Sequence, residues 1–176
     1  MRTGTVLVVF VTLAVVHGTD VVHACGDKFL LIGRSVKFRQ AYAAIYPASI
    51  VVFAQPQRSA SKAIRDPRFQ SELKQAGHRV LIAEDEAALT RALESERVDL
   101  VLTDVADADR IAKQAVNASA KPRVLPVMYE PTKEQAQAVE AQYMCRLTSS
   151  DRADKYLAAI DDAMKARADQ KKKPKS

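Results

Sequence analysis

Five short apolar runs follow one another along the chain from Ile50 onward. Their apolar residues stand at consecutive positions and do not alternate with polar ones, which is typical of strands covered on both faces of a sheet. The runs begin roughly 20 to 30 residues apart, which leaves room for a helix after each strand. We therefore predict five strands, at Ile50–Phe53, Arg79–Ala83, Asp99–Thr103, Val124–Met128 and Tyr143–Leu147.

Helix signals lie in the gaps between these runs. Asp66 followed by Pro67 is typical of a helix start, and Gly77 stands where a helix would end. Thr132 and Gln135 form a capping-box pattern. Apolar residues at helical spacing predict three further helices, over Glu84–Glu94, over Asp107–Val116, and after a Ser150 cap with Tyr156, Leu157, Ile160, Ala163 and Met164 on one face.

Alternating strands and helices predict an α/β domain with a parallel sheet. Crossovers between parallel strands are right-handed, so few topologies remain. A five-stranded, doubly wound sheet in the flavodoxin-like order 2-1-3-4-5 is the natural one. We assign this domain to residues 49–166, with an extension at residues 25–48 before it and a basic, disordered tail at residues 167–176 after it.

Residues 1–24 have the pattern of an export signal. Arg2 supplies a positive charge, and the apolar run Val6–Val16 is shorter than the ~20 residues that a membrane-spanning helix needs. Val22 and Ala24 meet the small-or-apolar requirement of a cleavage site before Cys25. We therefore predict an exported protein, located in a bacterial periplasm, in the cell envelope or outside the cell.

Cys25 has three interpretations in such a protein. It is the lipid-modified first residue of a lipoprotein, or it is an unpaired thiol, or it forms a disulfide with Cys145, the only other cysteine. Phe29–Ile32 is either an added strand or part of a linker, and we favour a strand because four apolar residues seldom stay in water. Two cysteines and His78 cannot supply four zinc ligands, so we predict no metal site.

The net charge of +6 first suggests a nucleic-acid partner. The basic residues are concentrated in the extension and the tail, however, whereas residues 49–164 are slightly acidic. No aromatic residue lies among the basic residues of the tail, as stacking on nucleic acid would require. We therefore predict no nucleic-acid partner, and membrane contact only through a lipid on Cys25 or through the basic tail on an anionic surface.

The stretch Val98–Asp104 is an apolar run that ends in a carboxylate. Within this strand–helix spacing it resembles the third strand of response-regulator receiver domains, and Leu125–Val127 resembles their fourth. The resemblance covers the five strand–helix units of the chain. It implies a receiver-like fold, with Asp104 at the position of the phosphate-accepting aspartate.

The resemblance also implies two acidic residues after the first strand, which hold a Mg²⁺ ion. It further implies a serine or threonine hydroxyl after the fourth strand and a lysine after the fifth. Ala54 and Gln55 replace the acidic pair. Tyr129 stands where a serine or threonine is expected, and Thr148 where the lysine is expected. Arg146 lies two residues before Thr148, on the same face of the strand. Three of the four functional elements are therefore missing, namely the acidic pair, the serine or threonine and the lysine. The fourth element, the acceptor aspartate, is present as Asp104.

We therefore expect a pseudo-receiver, a non-enzymatic domain without a cofactor that contacts an unidentified protein in signalling or in the envelope. Asp104 then caps the following loop or helix, and the contact surface is the face from Glu130 to Leu147. One alternative is a working phosphoacceptor of a phosphorelay, with Asp104 as nucleophile and Gln55 and Arg146 as partners. Another is a small-molecule-binding module that uses the crevice at the carboxyl edge of the sheet, lined by Phe53, Ala54, Gln55, Thr103, Asp104, Tyr129 and Thr148.

Overall fold

The structure is a computed structural model that describes residues 43–95, 97–143, 145 and 147–172, without the side chains of Ser95, Lys171 and Lys172. The predicted signal peptide, Cys25 and the run Phe29–Ile32 lie outside the described residues. Arg146 and residues 173–176 of the predicted tail also lie outside them. Of the predicted extension, residues 43–48 are described.

The described residues form one sheet of five strands: β1 Ser49–Phe53, β2 Arg79–Ala83, β3 Leu100–Asp104, β4 Arg123–Met128 and β5 Leu147–Thr148. Every neighbouring pair is parallel. The order across the sheet is β2-β1-β3-β4-β5. The predicted α/β class and the doubly wound order are therefore confirmed, with β1 and β3 side by side where the direction of winding reverses.

In the described part, six helices cover the sheet: α1 Ser61–Ile64, α2 Pro67–Gln75, α3 Glu86–Ser95, α4 Val105–Asn117, α5 Lys133–Gln142 and α6 Ala153–Lys172. Successive side chains of a strand point to opposite faces, so β1 contributes to two cores. Ile50 and Val52 pack in the main core with α2 and α6, and Val51 and Phe53 pack in a second core with α3 and α4. None of these helices has the length and apolar character that crossing a membrane requires.

Local capping explains where several helices begin and end. Asp66 accepts a hydrogen bond from the amide of Arg68 at 2.7 Å, with a proline at the first helical position, as predicted. Thr132 and Gln135 form the predicted capping box at the start of α5. Gly77 follows α2 with a φ of +97°, a left-handed conformation that glycine adopts without strain.

The fifth strand differs from the prediction. It is Leu147–Thr148 and not Tyr143–Leu147, because Tyr143 still closes α5: its amide donates to the carbonyl of Val139 at 2.8 Å. The short helix α1 was not predicted either. Its four residues are too few to show a helical period in the sequence.

Helix α6 differs from the prediction at both ends. It begins at Ala153 and not after a Ser150 cap. The carboxylate of Asp151 accepts the amide of Thr148 at 2.7 Å and keeps the chain in a turn before the helix. At its other end α6 runs to Lys172, so the tail predicted to be disordered from residue 167 is helical as far as that residue.

Arg167 anchors the C-terminal half of α6 to the sheet. Its side chain is buried, and its guanidinium donates to the carboxylate of Asp99 at 2.6 Å, to the carbonyl of Asp99 at 2.9 Å and to the carbonyl of Ala120 at 2.5 Å. Asp99 precedes β3, and Ala120 precedes β4. One side chain therefore joins three segments at the amino-terminal edge of the sheet, which explains why the helix continues past residue 166.

Candidate functional site

The residues predicted to line a crevice come together at the carboxyl edge of the sheet. Parallel strands end at the same edge, and the register sets Phe53 beside Thr103 and Asp104 beside Val127. At the end of β4, Tyr129 is 52% exposed. Four of the other crevice residues are buried, namely Phe53, Ala54, Thr103 and Asp104, and two are half-buried, namely Gln55 and Thr148.

Asp104 is a structural cap. It is the N-cap residue of α4, and its Oδ1 accepts the amide of Ala106 at 2.9 Å. Its Oδ2 accepts the amide of Ala60, just before α1, also at 2.9 Å. The residue is 5% exposed, so little of the carboxylate reaches solvent. The predicted capping role is therefore confirmed, and the same carboxylate ties the β1–α1 connection to β3.

Asp107, in the first turn of α4, is held by two arginines. It is 1% exposed, and Nε and Nη2 of Arg58 donate to its two oxygens, each at 2.7 Å. Arg110 donates to it at 3.0 Å. Burial alone would raise the pKa of Asp107, but the hydrogen bonds from Arg58 and Arg110 outweigh burial and hold that pKa below its ordinary value.

Arg110 extends these contacts to α3. Its Nη1 lies 2.5 Å from the carboxylate of Glu86, and its guanidinium carbon lies 5.6 Å from the centroid of the Phe53 ring, within the range of cation–π attraction. We call Arg58, Asp107, Arg110 and Glu86 the ion network. It lies above the end of β1, at the switch point where doubly wound sheets bind ligands, so the protein's own side chains occupy this place.

These residues do not fit the Mg²⁺ ion that the receiver resemblance implies. Ala54 is fully buried and presents a methyl group where a carboxylate is expected, and Gln55 is neutral. Both oxygens of Asp104 already accept backbone amides, whereas Mg²⁺ sites rest on available carboxylate oxygens. In residues 43–95, 97–143, 145 and 147–172, no group of three or more His, Cys, Asp and Glu residues is placed to hold a metal ion.

Thr148, at the position where the resemblance implies a lysine, belongs to the turn before α6. Its amide donates to Asp151 at 2.7 Å, and its carbonyl accepts the hydroxyl of Tyr156 at 2.8 Å. Its own hydroxyl lies 3.1 Å from that of Ser150. The polar groups of Thr148 are therefore engaged in holding the turn.

A groove of about 680 Å³ opens between the α1–α2 segment and the turn before α6. Tyr129 lines it from the end of β4, and Phe69 and Tyr156 meet edge to face in its wall, with ring centroids 4.7 Å apart. Lys62 and Arg68 add two cations, and neither forms an ion pair within the described residues. We call this the Tyr129 groove.

The ion network was not predicted from the sequence. Asp104, Asp107 and Arg110 are spaced three residues apart and so share one face of a helix, which was an available signal for the pair Asp107–Arg110. Arg58 lies 49 residues from Asp107 in a connection without regular structure. Its contact with Asp107 has no signal in a single sequence.

Comparisons of the chain with protein-family models, with curated proteins and with solved structures gave no match. What the protein does is therefore inferred from its own residues and their geometry.

Proposed function

We propose that this protein is an exported pseudo-receiver, a receiver-like domain that acts without catalysis through contact with a partner protein. The observation that carries the proposal is the engagement of Asp104, whose two oxygens accept the amides of Ala60 and Ala106, each at 2.9 Å. An acceptor aspartate attacks phosphorus with a carboxylate oxygen. Phosphorylation of Asp104 would therefore break either the cap of α4 or the tie to α1.

The charges around Asp104 support the same proposal. Phosphoryl transfer to a carboxylate brings like charges together, and a metal ion or a free cation must neutralise them. Arg58 is bound to Asp107 through two hydrogen bonds, and Arg110 is shared between Asp107 and Glu86. The guanidinium groups of the ion network already neutralise carboxylates of the protein itself.

The surface that we propose for the partner is the face from Glu130 to Leu147, which contains α5 and β5. Helix α5 packs on the domain through Ala136 and Val139, and the hydroxyl of Tyr143 at its end donates to Asp109 at 2.5 Å. A helix fixed in this way offers a rigid outer side to a partner. Its remaining positions are exposed or half-buried, namely Lys133, Glu134, Gln135, Gln137, Ala138, Glu140, Ala141 and Gln142.

Titration with beryllium trifluoride, a phosphoryl mimic, tests the role of Asp104. The purified full chain is mixed with the mimic and Mg²⁺, and the amide NMR signals of Ala60 and Ala106 are followed. We expect no saturable shift of either signal, in the wild type or in Asp104→Asn. Saturable shifts in the wild type that are lost in Asp104→Asn would instead support the phosphoacceptor alternative, with Gln55 and Arg146 as its partners.

Site-specific photocross-linking tests the contact surface. A photoreactive residue at Ala138, exposed on α5, is compared with one at Val116, which is 67% exposed on α4. In cells that produce the protein naturally, we expect one discrete adduct from Ala138, retained in an Asp104→Asn background, and no adduct of that mass from Val116. Equal adducts from both positions, or an adduct from Val116 alone, would contradict the proposed face.

Small-molecule binding is a second candidate function, and the Tyr129 groove favours it. The crevice above Phe53, Thr103 and Asp104 is filled by buried side chains and the ion network, whereas the groove beside it is open. Its volume of about 680 Å³ falls within the range of ligand sites, roughly 300 to 1,000 Å³. Native mass spectrometry of the purified chain tests this candidate: a co-purified molecule that is lost in Tyr129→Ala would support it, and one that is retained would place the molecule elsewhere.

A further inference from the structure

Residues between positions 56 and 67, which lead from β1 into α2, form a pocket of about 450 Å³. Lys62 and Asp66 line both this pocket and the Tyr129 groove, so the two lie side by side. The pocket is lined by three cations, Arg58, Lys62 and Arg65, and by one carboxylate, Asp66. We call it the basic pocket. The side chains that line it favour an anionic ligand.

The two arginines of the basic pocket are held by ion pairs and still have donors for a ligand. Nε and Nη2 of Arg58 donate to Asp107, each at 2.7 Å, and Nη2 of Arg65 donates to Glu84 at 2.5 Å. Within the described residues, Nη1 of each arginine has no hydrogen-bond partner. The pair of Arg65 with Glu84 is exposed, so solvent screens it. Lys62 is exposed and forms no ion pair in the described part of the chain, so its charge is available to a ligand.

Ser61 adds a polar group that the rest of the protein does not use. It lines the basic pocket and is 1% exposed, and its hydroxyl has no hydrogen-bond partner among the residues that the structure describes. Its backbone is fixed, because its amide donates to the carbonyl of Arg58 at 3.2 Å and its carbonyl accepts the amide of Arg65 at 2.9 Å. Buried polar groups normally have a partner. An oxygen atom of a ligand in the pocket would supply one.

We propose that the basic pocket binds a phosphate group, held by Nη1 of Arg58 and of Arg65, by the ammonium group of Lys62 and by the hydroxyl of Ser61. A carboxylate has one charge and two oxygens, which is less than these four groups can engage. A phosphate group has up to two charges and at least three acceptor oxygens, and guanidinium groups match its geometry. The ligand is free phosphate or the phosphate group of an organic phosphomonoester.

Asp66 gives the basic pocket a preference among doubly charged anions. Its Oδ1 accepts the amide of Arg68 at 2.7 Å, whereas its Oδ2 has no hydrogen-bond partner in the part of the chain that the structure describes. Monohydrogen phosphate has a proton that it can donate to this oxygen, and sulfate has none at neutral pH. We therefore expect the pocket to bind phosphate more tightly than sulfate.

NMR titration of the full chain with inorganic phosphate tests the site. The protein is kept at pH 7 and constant ionic strength, and the amide signals of Ser61 and Arg65 are followed. We expect saturable shifts with a dissociation constant of about 1 mM or lower, and binding of sulfate at least about threefold weaker. Shifts that do not saturate, or equal affinities for the two anions, would overturn the proposal. Inorganic phosphate does not phosphorylate a carboxylate, so the result is independent of Asp104 and of the proposed partner contact.

Phenyl phosphate distinguishes the two sources of the phosphate group. Because the basic pocket and the Tyr129 groove share Lys62 and Asp66, an organic group attached to the phosphate can extend into the groove. Tighter binding of phenyl phosphate than of inorganic phosphate, lost in Tyr129→Ala, would identify a phosphomonoester. Equal affinities of the wild type for the two probes would identify free phosphate.

Three variants locate the binding site. Ser61→Ala removes a hydroxyl that no described group of the protein uses, so its stability should not fall, whereas its affinity for inorganic phosphate should fall about tenfold. Lys62→Gln should lower the affinity about threefold. Lys74→Gln removes the same charge from an exposed position of α2 outside the pocket and is the control, with the affinity of the wild type. Wild-type affinity in Ser61→Ala, or equal losses in the two lysine variants, would overturn the proposal.

Discussion

Replacing Asp104 tests whether its carboxylate holds the fold together. In Asp104→Ala the cap on Ala106 and the tie to Ala60 are both lost. Loss of an N-cap costs about 1 kcal/mol, and a buried amide left without an acceptor costs a further ~1–3 kcal/mol. Ala60 is 0% exposed, so water replaces the lost acceptor only if the α1 turn opens. We therefore expect the free energy of unfolding to fall by about 2–4 kcal/mol.

Two smaller changes separate the cap from the tie. Asp104→Ser keeps a hydroxyl that caps α4, but its side chain is too short to reach the amide of Ala60. Asp104→Asn keeps one carboxamide oxygen for one of the two amides and turns a donor toward the other. Both variants should unfold with a free energy between those of the wild type and Asp104→Ala. Asp169→Asn removes an exposed carboxylate of the same type and is the control, with a change within about 0.5 kcal/mol.

Urea unfolding of the full chain, followed by far-UV circular dichroism, measures these differences. With a slope of about 2 kcal/mol per molar urea, a loss of ~3 kcal/mol lowers the midpoint by about 1.5 M. The expected order of midpoints is wild type, then Ser and Asn, then Ala. A wild-type midpoint for Asp104→Ala would refute the structural role of the carboxylate and would favour the phosphoacceptor alternative.

Three further predictions concern stability. Arg167→Met removes the cation beside the Asp99 carboxylate and leaves the carbonyl of Ala120 without its donor, whereas the carbonyl of Asp99 keeps the amide of Arg123 at 3.0 Å. The urea midpoint should therefore correspond to a loss of about 2–4 kcal/mol, with Arg167→Lys between this variant and the wild type. Burial lowers the pKa of His78, although the charge of Asp161 opposes this. As pH falls below about 6.5, the unfolded chain therefore binds a proton at this residue before the folded chain does. The free energy of unfolding should drop by up to ~1.4 kcal/mol per pH unit. The Nδ1 atom of His78 accepts the amide of Ala48 at 3.2 Å. His78→Asn keeps an acceptor for that amide but does not titrate, so unfolding curves from pH 7.5 to 5 should lack this loss of stability; an unchanged dependence on pH would contradict the assignment to His78. Gly77→Ala places a side chain at φ +97°, where nothing lies within 4 Å of the added Cβ, so thermal unfolding should report backbone strain alone, about 1–2 kcal/mol; a wild-type melting temperature would be inconsistent with a left-handed residue there.

The sheet could be predicted because its signals are local. Strands covered on both faces need consecutive apolar residues, and Ile50–Phe53, which is buried at every position, meets that need within four residues. Asp66 and Gly77 mark the two ends of α2, because aspartate is favoured at the start of a helix and glycine just after its end. The fifth strand was misplaced because Tyr143 is apolar enough for a strand and closes a helix only through its backbone.

The candidate site could be predicted only in part, because its decisive contacts link residues far apart in the chain. The capping role of Asp104 follows from a carboxylate between a strand and a helix, which is a local pattern. The partner of its second oxygen is an amide 44 residues away, and Arg58 reaches Asp107 over 49 residues. Neither contact leaves a periodic or spacing signal. The residues predicted to line a crevice do meet at the carboxyl edge of the sheet, but the ion network beside them was not predicted.

The ion network bears on how a pseudo-receiver would be regulated. In working receiver domains, with which the proposed function is compared, Mg²⁺ and a phosphoryl group bind at the carboxyl edge of the sheet and leave it again. Arg58 and Arg110 belong to the chain, so they pair with Asp107 and Glu86 without a bound ion. A ligand shifts an equilibrium only if it binds two states with different affinity, and both oxygens of Asp104 already hold backbone amides. On the proposed function the α5 face is therefore presented constitutively.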